Sequence, residues 1–128
     1  MKKIIHTPHA PAPIGPYSQA VQVGNTLYVS GQIAIDPDSG SMITNEIQEE
    51  TAQVMKNIGA ILQAAGLSYA HIVKTSIFLN SMDDFAKVNA VYGQYFTADF
   101  PARETVEVSV LPKNVNVEIS VIAVSDAV

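Results

Sequence analysis

The last third of the chain contains a run in which two kinds of side chain alternate. Opposite sides of an extended strand would hold the two sets: Val117, Ile119, Val121 and Ala123 on one, and Asn116, Glu118, Ser120 and Ile122 on the other. The pattern predicts a β-strand with one apolar side that packs against helices. Its other side has mixed polarity, so the chain is constrained to a sheet with two unlike faces.

Similar patterns predict four further strands and two helices. Residues 19–23 and 26–30 alternate on either side of Gly24-Asn25, which predicts a β-hairpin. Residues 72–79 are rich in β-branched and aromatic side chains, and residues 104–110 alternate again. Apolar residues at helical spacing predict helices over 45–65 and from residue 81 to just before Pro101. The order β-β-α-β-α-β-β indicates an α+β fold, with both helices on one face of the sheet.

Turn and capping residues support these boundaries. Four prolines mark residues 7–18 as an irregular, extended segment. Asn45 is expected to cap the first helix, with Gln48 three residues on and the acidic residues of the first turn facing the positive helix end. Gly66 suits the end of that helix, and Ser81 is expected to cap the second. A chain of 128 residues fits one domain, 1–128.

The second face of the sheet has two interpretations. Alternation places Val106, Val108 and Val110 on one side of the preceding strand, expected to be the apolar one, and Arg103, Thr105, Glu107 and Ser109 on the other. The mixed face could meet water, as in many antiparallel sheets. It could also form an oligomer interface with a site at its edge, because semi-polar pairs such as Tyr28 with Ser30 are typical of interfaces. Both interpretations stay open at this point.

Composition excludes several classes of function. A net charge of −5, with seven Lys and Arg, argues against a nucleic-acid partner. The absence of cysteine excludes disulfides and thiolate chemistry. The histidines lack metal-ligand spacing, so no metal is expected, and no phosphate-binding glycine loop occurs. No run approaches a membrane span and no signal-peptide core follows Lys3, so we expect a cytoplasmic protein without a membrane partner.

Two charged residues near the carboxyl end could carry chemistry. Arg103 is the only arginine, and a guanidinium grips a carboxylate through two parallel hydrogen bonds. The alternative for Arg103 is a surface ion pair with Glu104 or Glu107. Glu118 interrupts an apolar strand, where partial desolvation would raise its pKa and suit it to general acid–base catalysis. The alternative is an ordinary solvent-facing carboxylate.

Two further residues have both a structural and a functional interpretation. Asn89 shares a helix face with Phe85 and Tyr92, so its amide either bonds to the backbone or points into a pocket. Tyr17 follows Gly15-Pro16 and could close over a site, although an ordinary packed tyrosine fits equally well.

A series of short motifs runs along nearly the whole chain, in order and with compatible spacing. The series comprises Ile14-Gly15-Pro16-Tyr17-Ser18-Gln19, Val29-Ser30-Gly31-Gln32-Ile33, Ile72-Val73-Lys74-Thr75, Asp84-Phe85-Ala86-Lys87-Val88-Asn89, Phe100-Pro101-Ala102-Arg103 and Val117-Glu118-Ile119. Any one of these motifs is weak, but the series together is strong. It resembles the reactive intermediate deaminase family, called Rid or YjgF-like.

The resemblance implies a chorismate-mutase-like fold with a mixed sheet, and a homotrimer with three clefts between subunits. It implies cofactor-free hydrolysis of reactive 2-enamino and 2-imino acids, such as 2-aminoacrylate, 2-iminopropanoate and 2-iminobutanoate, to 2-keto acids and ammonia. The carboxylate-binding arginine of the family corresponds to Arg103 and its water-positioning glutamate to Glu118. The remaining substrate-binding positions correspond to Tyr17, Ser30, Gly31, Asn89 and Thr105.

The chain departs from the family pattern at two places. Thr105 stands where the family often has cysteine, and Glu104 stands where a small residue is usual. Glu104 is expected to point away from the face of Arg103. Sequence reasoning places Arg103 and Glu118 on adjacent terminal strands, with Tyr17 and Asn89 near them.

Two other functions remain as alternatives to the deaminase. A non-catalytic module that binds keto acids or other carboxylates and regulates a partner enzyme would need Arg103 but not Glu118. An RNA-cleaving translation inhibitor, also implied by the resemblance, is disfavoured by the acidic charge and the single arginine.

Overall fold

A computed structural model describes residues 1–128, which form a six-stranded sheet covered by two helices. The elements in chain order are β1 (Lys2–Ile5), β2 (Ala20–Val23), β3 (Thr26–Gln32), α1 (Ile47–Ala64), β4 (Ile72–Leu79), α2 (Phe85–Tyr92), β5 (Ala102–Glu107) and β6 (Val117–Val124). The spatial order of the strands is β1-β2-β3-β6-β4-β5. Only β4 and β5 pair in parallel, so the sheet is mixed. The predicted α+β architecture is confirmed.

One strand was not predicted. Residues Lys2 to Ile5 form β1, which pairs antiparallel with β2 at the edge of the sheet. Four residues, two of them lysines, give too little alternation for a sequence pattern to indicate a strand. The pairing places the start of the irregular segment beside β2.

The helix boundaries differ slightly from the predicted ones. Glu46, not Asn45, occupies the N-cap of α1, and no side chain caps that end. Gly66 has a φ of 75°, in the left-handed region expected after the last turn. Ser81 does cap, because its hydroxyl accepts a hydrogen bond from the backbone N–H of Asp83 at 3.2 Å. That cap begins a short 3₁₀ turn, and α2 is therefore shorter than the predicted helix.

The two helices pack on one face of the sheet and form the main core. The residues that meet there are buried, among them Val54, Ile58 and Leu62 of α1, Val88 and Tyr92 of α2, and Leu27, Ile77, Ile119 and Val121 of the sheet. Burial of each such side chain contributes about 1.5–3 kcal/mol. As the alternation predicted, Ile119 and Val121 face the helices.

A buried carboxylate joins α1 to the start of β6. Glu50 is fully buried, and its oxygens accept hydrogen bonds from the backbone N–H of Asn116 at 2.7 Å and of Val117 at 3.2 Å. The side-chain amide of Asn116 donates a third bond at 2.7 Å. Sequence reasoning treated Glu50 only as a first-turn charge, whereas it fixes the strand that carries Glu118.

The prediction that the valine side of β5 is the apolar side of the sheet, facing the helices, is wrong. Arg103 pairs with Thr75 of β4, which is buried on the helix-covered face, and Thr105 pairs with Ile77. Val106 pairs with Phe78 on the other face and is 42% exposed, while Val110 lies beyond the strand and is 65% exposed. Alternation separates the two sides of a strand, but only the register with β4 decides which side meets the helices.

The face of the sheet opposite the helices is open and partly apolar. We call it the open face, and it includes Ile4, Tyr28, Phe78, Ile122 and Glu118 by register. Tyr28 is 50% exposed and Ile4 52% exposed. Neither helix is both long enough and apolar enough to cross a membrane.

Candidate active site

Arg103 lies at the edge of the sheet, beside α2. Its Nη1 donates a hydrogen bond to the Oδ1 of Asn89 at 2.8 Å. The guanidinium carbon is 5.2 Å from the ring centre of Tyr92 and 5.8 Å from that of Phe85. Two aromatic rings and one amide therefore hold the cation by cation–π attraction and a charge-assisted hydrogen bond. We call these four residues the Arg103 half-site.

The platform beneath Arg103 is itself fixed to the core. The hydroxyl of Tyr92 donates a hydrogen bond to the Oγ1 of Thr75 at 2.9 Å, and Thr75 is the residue paired with Arg103. Burial raises the pKa of Tyr92, an effect that the Thr75 hydrogen bond and the Arg103 charge only partly oppose. The phenol stays neutral, and it orients the arginine without neutralising it.

No carboxylate of the chain pairs with Arg103. Glu104 instead forms an ion pair with the Nζ of Lys74 at 3.0 Å and accepts a hydrogen bond from Ser76. The other neighbouring carboxylate, that of Glu107, accepts from the backbone N–H of Met82 at 2.8 Å. The surface ion pair considered from the sequence is therefore absent, and Glu104 points away from the face of Arg103, as expected.

Glu118 lies on the open face, against the backbone of β3. It pairs with Phe78, which packs against the small apolar cluster of Ile33, Leu111 and Val115. The side chain is half-buried, and this burial raises the pKa of Glu118. Its Oε2 lies so close to Gly31 that a β-carbon at that position would be 2.2 Å away.

Three of the predicted substrate-binding residues lie where the proline-rich segment meets β3. The hydroxyl of Ser30 donates to the carbonyl of Ser18 at 2.6 Å, and this contact ties Gly31 to the proline-rich segment. Tyr17 and Gly31 line one small cavity between that segment and β3. The phenol oxygen of Tyr17 accepts a hydrogen bond from the N–H of Ile14 at 3.2 Å. Tyr17, Ser30, Gly31 and Glu118 form what we call the Glu118 half-site.

The two half-sites do not meet within one chain. Arg103 faces the helices and Glu118 lies on the open face, so their side chains point to opposite sides of the sheet. β4 also lies between β5 and β6, which corrects the prediction that the two residues occupy adjacent strands. One chain brings Asn89 to Arg103, and it brings Gly31 to Glu118, but it does not bring the arginine to the glutamate.

Thr105 shares the face of Arg103, two residues further along β5. Its Oγ1 is inaccessible to solvent and has no hydrogen-bond partner in the chain. A buried hydroxyl without a partner is uncommon.

No group of three or more His, Asp or Glu side chains is placed to hold a metal ion.

Three residues that shape the site were not predicted from the sequence. The helical pattern assigned Phe85 and Tyr92 to the core, and nothing in it showed that both rings also contact Arg103. The alternation predicts Gln19 as part of a strand, whereas its buried side chain bonds to the proline-rich segment. The four prolines were the available signal, because such a segment needs hydrogen-bond partners from elsewhere.

Comparison with known proteins identifies the fold and the family. The sequence model described as Endoribonuclease L-PSP matches residues 7–125. A crystal structure of a Rid-family protein of unknown function from Yersinia pestis is 50% identical, with a TM-score of 0.94 over 97% of this chain and 99% of that one. The chain belongs to the Rid family. Its predicted resemblance is confirmed.

Other Rid proteins carry more specific names. The mouse protein named 2-iminobutanoate/2-iminopropanoate deaminase is 48% identical to this Rid-family chain, over 97% of the chain and 92% of the mouse protein. The structure of TdcF from E. coli, which contains bound serine, is 42% identical with a TM-score of 0.92, and it covers 95% of this chain and 98% of that one. The Arg103 and Glu118 half-sites are therefore the candidate active site of this Rid-family chain.

Proposed function

We propose that this chain is a hydrolytic deaminase that converts 2-imino acids, and the enamino acids that tautomerise to them, into 2-keto acids and ammonia. The observation that carries the proposal is the state of Arg103. It is a fixed cation with no carboxylate partner, beside two glutamates that bond elsewhere. A 2-imino acid supplies the missing carboxylate, and the names of mammalian relatives at 46–50% identity support this substrate class.

We propose further that the working site forms between subunits of a homotrimer. The Arg103 half-site of one subunit would face the Glu118 half-site of its neighbour, because the two cannot meet within one chain. The partly apolar open face supplies a surface for association. This arrangement would also bring the unpartnered hydroxyl of Thr105 close to a subunit boundary.

The proposed reaction begins when the substrate carboxylate binds Arg103, whose guanidinium is held in position by Asn89. Binding at this point fixes the imine carbon, and such orientation contributes several kcal/mol in well-aligned reactions. Tyr17, Ser30 and Gly31 line the rest of the cleft. The imine nitrogen leaves as ammonia, so the site needs a proton acceptor and donor near that carbon.

Glu118 is proposed to supply the proton transfers. On the protonated imine, its carboxylate takes a proton from water as the water oxygen bonds to the imine carbon, which gives a neutral carbinolamine. Glu118 returns that proton to nitrogen. The carbon–nitrogen bond then breaks as the carboxylate takes the hydroxyl proton, which leaves a keto group and ammonia, and Glu118 passes this last proton to the departing ammonia. A raised pKa suits this role, because burial makes the carboxylate a stronger base than an exposed glutamate. General acid–base catalysis of this kind contributes about 10²–10⁴-fold.

The non-catalytic alternative predicts a different mutational pattern. A carboxylate-binding regulatory module would lose ligand affinity with Arg103→Ala and keep it with Glu118→Ala, and it would show no turnover in the wild type. The endoribonuclease description of the family model leads to a second alternative. With a net charge of −5 and one arginine, this chain offers little attraction for an RNA backbone.

The decisive experiment mixes two inactive variants. Arg103→Ala and Glu118→Ala are each expected to lose accelerated keto-acid release in an assay coupled to a pyridoxal-phosphate-dependent dehydratase. When the two are unfolded and refolded together, about one site in four should regain both residues by random assortment of a symmetric assembly. Recovered activity supports a site shared between subunits. Full activity of either single variant, or no recovery in mixed trimers verified by light scattering, would contradict the proposal.

A further inference from the structure

The proline-rich segment before β2 depends on one buried amide. We call residues 7–18 the strap. Gln19 is 2% exposed, and its Oε1 accepts a hydrogen bond from the N–H of Thr7 at 2.7 Å. Its Nε2 donates to the carbonyl of Thr7 at 3.0 Å and to that of Pro11 at 2.9 Å. Both ends of one side chain therefore bind the strap.

The strap has few other means of holding its shape. Its four prolines cannot donate backbone hydrogen bonds, and it forms no strand or helix. The carbonyl of Ala10 lies 3.3 Å from the same Nε2. Gln19 therefore supplies a donor or an acceptor to three residues of the strap. These residues have no regular backbone hydrogen bonds of a helix or a sheet to use instead.

The backbone around Gln19 also holds Ser30 and Gly31, the part of β3 that lies against Glu118. The carbonyl of Gln19 accepts a hydrogen bond from the N–H of Ser30 at 2.9 Å, beside the bond from the Ser30 hydroxyl to Ser18. Gly31 follows directly and touches the Glu118 carboxylate. Gln19 thus bonds to the strap through its side chain and to Ser30 of β3 through its backbone.

Tyr17 lies between these two points of attachment. It is 46% exposed, so packing in the core does not fix it. Its hydroxyl accepts from the N–H of Ile14 and its ring lies near Gly15, both residues of the strap, and it lines the small cavity with Gly31. Anything that releases the strap would therefore release Tyr17, while the helices and the sheet stay as they are.

We propose that Gln19 is a positioning residue for Tyr17. By fixing the strap it keeps the tyrosine ring at the cavity that Tyr17 shares with Gly31, and so it favours substrate binding without touching substrate. This inference rests on the proposed function for its kinetic consequence. Its structural consequence, an ordered strap, is independent of any activity.

The test replaces the amide with a side chain of similar size that cannot form hydrogen bonds, Gln19→Leu. Gln22→Leu on β2 is the matched control, because Gln22 is half-buried and forms no side-chain hydrogen bond to the strap. Hydrogen exchange followed by mass spectrometry should show faster exchange confined to the strap in Gln19→Leu only. If that variant does not fold, Gln19→Asn, whose amide is one methylene too short to reach, is measured in the same way.

Kinetics separate positioning from general destabilisation. Gln19→Leu is expected to raise KM for the imino acid about tenfold with kcat within about twofold, because two or three hydrogen bonds that order the strap are lost. In a Tyr17→Ala background the same change should add less than about twofold, since it acts through the tyrosine. Strap exchange equal to that of wild type, a fall in kcat alone, or a full additional effect in the Tyr17→Ala background would overturn the proposal.

A chain without deaminase activity would be recognised separately. In that case wild type shows no turnover, and the proposed function fails. The role of Gln19 is then judged by hydrogen exchange of the strap and by the affinity for pyruvate, a 2-keto acid, measured calorimetrically in the same variants. Weaker pyruvate binding together with faster strap exchange in Gln19→Leu supports the role, and unchanged values of both contradict it.

Discussion

The carboxylate of Glu118 lies directly over the α-carbon of Gly31. A β-carbon at residue 31 would be 2.2 Å from Oε2, which is far inside van der Waals contact. The backbone of Gly31 does not have a positive φ, so its conformation would tolerate a side chain. The glycine is therefore required by the position of the carboxylate and not by a turn.

We expect Gly31→Ala to displace Glu118 and reduce kcat by at least about tenfold, as part of the acid–base contribution is lost. The fold should survive, because the displaced group is the end of a flexible side chain. Gly93→Ala is the control, since its β-carbon would meet no atom within 4 Å. Kinetics of both variants check the expectation, and a normal kcat in Gly31→Ala would contradict it.

Asn89 is expected to affect substrate binding more than turnover. Asn89→Leu removes the partner of the Arg103 Nη1 but leaves both aromatic rings in place. Loss of one charge-assisted hydrogen bond at a partly exposed site, about 1 kcal/mol, should raise KM about fivefold. Steady-state kinetics would show this increase. An equal fall in kcat would mean that Asn89 acts in the chemical step instead.

The raised pKa of Glu118 predicts a pH-dependent cost to stability. The folded chain binds this proton more tightly than the unfolded chain does, because burial raises the folded pKa. Between the unfolded and the folded pKa, the free energy of unfolding therefore falls as pH rises. The cost is absent below the unfolded pKa and complete above the folded one.

Glu118→Gln should remove that cost. The variant is expected to be more stable than wild type near pH 7, and the difference should shrink as pH falls to about 4, near the unfolded pKa of a glutamate. Urea denaturation at fixed protein concentration measures both values, with Glu49→Gln as an exposed control. A stability difference that grows toward acidic pH would have the wrong sign.

The Glu50 bonds predict a purely structural phenotype. Glu50→Leu leaves the backbone N–H groups of Asn116 and Val117, at the start of β6, without an acceptor, which should reduce the free energy of unfolding by about 1–3 kcal/mol. Glu49→Leu, one residue away and exposed, should change it by less than about 0.5 kcal/mol. Chemical denaturation of the two variants provides the measurement. Equal stabilities would show that Glu50 does not secure the strand.

Local patterns predicted most of the fold. The alternation of β6 placed Ile119 and Val121 toward the helices correctly, because burial on one face leaves a period of two in the sequence. The same reasoning failed for β5. That strand is at an edge and pairs in parallel with β4, so the orientation of Arg103 depends on a register that alternation does not contain.

The candidate site was less accessible to sequence reasoning. Single residues such as Arg103 and Glu118 stood out by type and context, and the resemblance to Rid proteins assigned them roles. Their placement on opposite faces could not be anticipated, because it arises from pairing between segments distant in the chain. The bonds of Glu50 were hidden for the same reason, since they join α1 to residues far along the chain. The bonds of Gln19 are nearer in sequence, but they hold an irregular segment that has no periodic pattern to predict them.

The opposite orientation of Arg103 and Glu118 has a consequence for how such a protein responds to dilution. No rotation of either side chain can bring the two together through a sheet, so an isolated subunit would have no residual route to turnover. Under the proposed assembly, specific activity should collapse once the subunits separate, and it should return on reconcentration. Cellular abundance would then act as a threshold for the activity rather than as a simple multiplier.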